Sequence, residues 1–109
     1  MASIFHNRVV VLGAGSVSQT LVPLMLQEKV VEAKQITIVD KLDVRHRFQS
    51  SIAAGVNYII DELTRANIKD FLAKYLKQGD FLVDLAWNID ANEIMGWAHD
   101  NGVIYLNTS

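Results

Sequence analysis

Apolar and polar positions along this chain fall into nine segments of alternating period. Short apolar, largely β-branched or aromatic runs fall at 8–12, 35–39, 56–60, 81–84 and 103–106. Runs of this kind read as strands buried on both faces. Between them the period becomes helical. In the first helix Val17, Leu21, Leu24 and Met25 take the spacing of a buried stripe, and Pro23 inside it predicts a kink. A short second helix is expected at 44–53. A third starts at Thr64 as N-cap and buries Ile68, Phe71, Leu72 and Tyr75. A fourth, 91–100, buries Ile94, Met95 and Trp97 or Ala98, and ends at the C-cap pair Asn101-Gly102.

Strictly alternating strands and helices require a parallel sheet with right-handed crossovers. The expected architecture is α/β, a doubly wound, three-layer αβα sandwich. Its five strands take the order 3-2-1-4-5, with the switch between strands 1 and 4. The 109 residues suit one domain. The usual doubly wound sheet has a sixth strand and a bare fifth-strand edge is a liability, so the chain reads as the N-terminal part of a longer enzyme.

Composition narrows the function. A net charge of −2 gives no broad basic surface, so nucleic acid is not an expected partner. No apolar run reaches the roughly 18 residues of a membrane span, and the N-terminal residues lack a signal-peptide layout. Cysteine is absent, which excludes disulfides and thiolate chemistry and is compatible with a cytoplasmic location. His6, His46 and His99 lie on separate elements without metal-ligand spacing, so no metal is expected.

The chemistry gathers at the exit of the first strand, Val11-Leu12-Gly13-Ala14-Gly15-Ser16-Val17-Ser18. Gly13 permits a tight turn, and Gly15 lets a pyrophosphate approach the N–H groups of Ser16 and Val17 that open the next helix. Ser18 replaces the third glycine of this Rossmann-type pattern. Asp40 ends the second strand 22 positions after Ser18, close to the roughly 20 expected of a ribose-binding acid. Its carboxylate would accept from the ribose hydroxyls and repel a 2′-phosphate, favouring NAD over NADP; Lys41 and Arg45 follow closely. Thr64 sits where the adenine side would lie, and the Leu85-Ala86 backbone leaves the fourth strand toward the pyrophosphate. Trp87 is a candidate lid or substrate wall, or else packs against a further part of the protein. Asp61-Glu62 reads as a solvated loop, and the mixed charges of Asp40, Lys41, Asp43, Arg45 and Arg47 as a solvated face. No residue is marked as a general base or nucleophile.

The run from Asn7 through Val17, then Pro23-Leu24, Thr64-Arg65-Ala66-Asn67-Ile68, Asp80-Phe81-Leu82-Val83-Asp84-Leu85-Ala86, Trp97, and Asn101-Gly102-Val103-Ile104-Tyr105-Leu106-Asn107-Thr108, resembles bacterial homospermidine synthases, within the saccharopine dehydrogenase-like group. The resemblance covers nearly the whole chain. It implies a tightly held NAD that takes a hydride from putrescine and returns it after an aminobutyl group is transferred. It also implies cofactor contacts at Gly13, Gly15, Ser16, Val17, Asp40, Thr64, Leu85 and Ala86; Ser18 in the same turn is a further cofactor candidate, and Trp87, Asn88 and Asn107 are candidate substrate contacts. Catalytic residues are expected outside this segment, and a homodimer is admitted. The chain departs from the family at Ser18, at Asp84-Leu85-Ala86 in place of Asn-Leu-Ser, and at Asn88 and Asn107, where acids are frequent. Fewer acids weaken the attraction for a diamine. Two other readings stand beside this one: a saccharopine-type dehydrogenase that releases reduced cofactor, and a nucleotide-sensing module without turnover.

Overall fold

The computed structural model describes residues 5–85 and 91–107. Strands β1 (Val9–Leu12), β2 (Ile36–Asp40), β3 (Asn57–Ile60), β4 (Phe81–Asp84) and β5 (Ile104–Asn107) alternate with helices α1 (Ser16–Gln27), α2 (Gln49–Ala54), α3 (Ile68–Tyr75) and α4 (Ala91–Asp100). All pairings are parallel, and the sheet order is β3-β2-β1-β4-β5. This is the expected doubly wound order. The central strands β1 and β2 are buried on both faces, which explains their largely apolar composition.

The pleat sends alternate side chains into two cores. Val10, Leu12, Val39 and Leu82 pack with Ile68, Phe71, Leu72 and Tyr75 of α3 and Ile94 and Ala98 of α4. Val9, Val11, Ile36, Ile38 and Val83 pack on the other face with Val22 of α1, Phe48 and Val56. The α3 stripe is the expected one, residue for residue. In α4 Ile94 and Ala98 are buried, whereas Met95 is 48% exposed.

Three local expectations are corrected. The buried positions of α1 are Ser18 and Val22, while Val17 and Leu24 lie about half exposed. Small Ser18 lets the helix approach the sheet, and that turns the Val17/Leu24 flank outward. The second helix is divided into a 3-10 turn, Arg45–Phe48, and the short α2. Thr64 does not cap α3: the N-cap is Asn67, and Thr64 opens the turn before it. Helix α1 runs from Ser16 to Gln27 through Pro23. Gly102 has φ +67° and closes α4 as a left-handed cap should.

Candidate functional site

The glycine turn is built by the sheet beneath it. Gly13 donates its N–H to the Val39 carbonyl (2.9 Å), and Leu85 donates to the Leu12 carbonyl (3.0 Å). The carboxyl ends of β1, β2 and β4 are thereby fixed beside the turn, and φ +98° at Gly13 is a conformation that favours glycine. Ser18 is fully buried, and its hydroxyl donates to the Gly13 carbonyl. It fastens the turn to the helix from inside and faces away from solvent.

Gly15 is the N-cap of α1 and offers no side-chain cap to the first-turn N–H groups. A Cβ added at Gly15 would meet nothing within 4 Å, so the space over the turn is open. Open space, uncapped amides and the positive end of a twelve-residue helix suit an anion. Ser16 and Val17 present their backbone there, with exposed side chains.

A cleft of ≈ 620 Å³ leads from the turn across the ends of β2 and β3. Gly13, Gly15, Asp40, Thr64 and Leu85 all line it. The Asp40 carboxylate accepts from Ala14 N–H (2.8 Å) through Oδ2 and from Leu42 N–H (2.8 Å) through Oδ1. It therefore braces the glycine turn as well as facing the cleft. Each oxygen retains acceptor capacity for a ribose hydroxyl. Cations Lys41, Arg47 and Arg65 and acids Asp61 and Glu62 share the lining.

The loop beyond β3 carries the main surprise. Asp61 is not a freely solvated loop acid. Its Oδ2 accepts from Lys74 Nζ (2.8 Å) and from the Tyr75 hydroxyl, and its Oδ1 accepts from Glu62 N–H (2.9 Å). The Lys74 ammonium, then the Tyr75 hydroxyl, hold its carboxyl below the usual range. Burial, then the Asp61 bond, push Tyr75 up to about 12. Lys74 and Tyr75 stand 13 and 14 residues downstream of Asp61, so only the docking of α3 on β3 brings them together. Asn67 closes the same loop, accepting from Thr64 N–H (2.7 Å) and donating to the Glu62 carbonyl (2.9 Å). Thr64 lies half-buried in this loop.

At the other edge Asp84 is buried, 2% exposed, and accepts from the Tyr105 hydroxyl (2.7 Å). Asn107 also bonds Tyr105. Burial, then the Asp84 bond, raise the Tyr105 pKa. The β4–β5 register sets Asp84 opposite Asn107, so β5 carries Asn107 to the switch-point edge. Ala86, Trp87 and Asn88 lie outside the described residues. The mixed-charge segment after β2 is exposed, and Asp43 pairs with Arg45 (2.7 Å). That guanidinium lowers the Asp43 pKa to about 2. Among the described residues no group of His, Cys, Asp and Glu could hold a metal ion, and no helix is long and apolar enough to cross a membrane.

The saccharopine dehydrogenase NADP binding domain family matches residues 9–109. Homospermidine synthase of Blastochloris viridis is 27% identical over 103 residues, covering 92% of this chain and 21% of that protein. The solved homospermidine synthase of Legionella pneumophila, in complex with NAD, superposes with TM-score 0.83 at 28% identity, over 97% of this chain and 23% of that one. Shikimate 5-dehydrogenase from Listeria monocytogenes shares the fold alone, with TM-score 0.56 at 13% identity over 96% of this chain and 46% of that one. The chain spans about a fifth of the length of the homospermidine synthases it matches. The match along residues 9–109, on a parallel sheet in the order 3-2-1-4-5 with a glycine turn after β1 and an acid at the end of β2, places this chain in the saccharopine dehydrogenase NADP-binding domain family.

Proposed function

We propose that this chain is the NAD-binding domain of a homospermidine synthase-like enzyme. The observation that carries the reading is the open turn at Gly15 leading into a cleft floored by Asp40. Likeness to an NAD-bound homospermidine synthase along 97% of the chain supports it. The amides of Ser16 and Val17 would take the pyrophosphate, with Gly13 and Gly15 keeping side chains clear and Ser18 holding the turn from inside. Asp40 would accept from the adenosine ribose, and its charge would disfavour NADP. Thr64 would border the adenosine. The Leu85-Ala86 backbone would pass the nicotinamide half.

Bound NAD would supply a hydride acceptor that later returns the hydride, leaving no net redox change. Putrescine is the proposed substrate, with Trp87, Asn88 and Asn107 as its contacts in this chain. We place the domain within a longer cytoplasmic enzyme that admits a homodimer. The length of its relatives supports the first point, and the absence of cysteine agrees with a reducing compartment. The test is incubation of the full-length protein with putrescine and a catalytic amount of NAD. Homospermidine without net NADH is the expected outcome. Net conversion of that NAD to NADH without polyamine product would instead favour the reading as a dehydrogenase that releases reduced cofactor.

A further inference from the structure

We propose that Asp61 reads the exocyclic amine of the adenine ring, making this a site selective for the adenine dinucleotide. The inference rests on the NAD reading above and extends it to a residue that motif spacing does not mark. Asp61 follows β3 directly, and its N–H donates to the Asp40 carbonyl (3.0 Å). The two carboxylates thus stand on neighbouring strands at one edge. With the ribose on Asp40, the attached base extends across β2 toward the exit of β3.

The cleft there has the character of a base slot. Val44, Leu63 and Phe71 line it with apolar surface, and Asp61 lies on its wall. A carboxylate has about four acceptor positions. Lys74, Tyr75 and Glu62 N–H occupy three of them, two on Oδ2 and one on Oδ1. The remaining position, on Oδ1, can accept one further donor. Adenine offers an amino group at the position where hypoxanthine and guanine carry a carbonyl oxygen. An amine completes the set around Asp61, whereas a carbonyl oxygen would face a fixed negative charge. Lys74 is turned into the ion pair with Asp61 and is not among the residues lining the cleft, so it does not offer the opposite charge to a carbonyl.

The test is calorimetric binding of three dinucleotides to the full wild-type chain: NAD, nicotinamide hypoxanthine dinucleotide and nicotinamide ethenoadenine dinucleotide. The third has its amine tied into a ring. NAD should bind about tenfold more tightly than either analogue, the loss expected when a charged acceptor is left without its donor. In Asp61→Asn the gap between NAD and the hypoxanthine analogue should close to about threefold or less, because the amide can donate to the carbonyl. Equal binding of all three by the wild type overturns the proposal, and that comparison needs no variant. A full tenfold preference kept by folded Asp61→Asn also overturns it. Failure of all three to bind would instead refute the NAD reading itself.

Discussion

The two halves of the sheet edge handle their acids in opposite ways. Along β1, β2 and β3, Asp40 and Asp61 are fixed by local N–H groups and by α3, yet both border an open cleft. Along β4 and β5, Asp84 is almost fully covered and bonded to Tyr105, and neither lines that cleft. Fixing a carboxylate while leaving it acceptor capacity prepares it for a ligand. Burying it against a tyrosine commits it to the fold. The cleft over β1, β2 and β3 is the part we propose for the adenosine, and the buried Asp84–Tyr105 pair supports the fold beside it.

The comparison breaks most visibly at the turn. Gly15→Val should weaken NAD binding by about a hundredfold or more, since its side chain would fill the pyrophosphate space. Thermal stability should change little, because a Cβ there meets nothing within 4 Å and the backbone φ is −84°. Calorimetric titration and a thermal melt check the two halves of that statement. A collapse of Tm would show the turn to be structural.

The reverse pattern is expected at Tyr105→Phe. Removing a hydrogen bond to a buried carboxylate should cost about 2 kcal/mol of stability, read by denaturant unfolding. NAD affinity should stay within about twofold of wild type, a range far below that of the glycine variant. A large loss of affinity with unchanged stability would move Asp84 into the cofactor site.

The smallest effect is confined to alkaline solution. Tyr75 titrates near 12 in the folded protein against 10 for the free side chain, so the native state holds its proton more tightly. Its contribution is therefore complete below pH 10 and is lost as pH rises toward 12. Melts across that window should show a decline that flattens in Tyr75→Phe. At the acid end the sign is opposite. The lowered pKa of Asp61 contributes above its ordinary value of 3.8 and is lost as pH falls through its folded value.

Much of this is legible in the amino-acid sequence alone. The β-branched runs fixed five strands to within a residue, because strands buried on both faces have little choice of composition. The α3 stripe was legible because Ile68, Phe71, Leu72 and Tyr75 share one helical face and are all buried. The α1 stripe misled because Val17 and Leu24 obey the same period but lie on a flank, and periodicity does not say which apolar face meets the sheet. Thr64 was a plausible cap by type, but Asn67 caps the loop's polar groups with its own amide. Asp61 looked solvated because its partners are 13 and 14 residues away, beyond the reach of any local rule.

The sequence by itself determined the fold class, the strand order, the glycine turn and the acid at Asp40. Each depends on short-range pattern: strand composition, backbone freedom at a turn, and a spacing set by one crossover helix. Tertiary structure alone decided what each remaining acid does. It turned Asp84 into a buried support and Asp61 into a fixed acceptor on the cleft wall, because a carboxylate's role depends on which distant donors packing brings within hydrogen-bond reach.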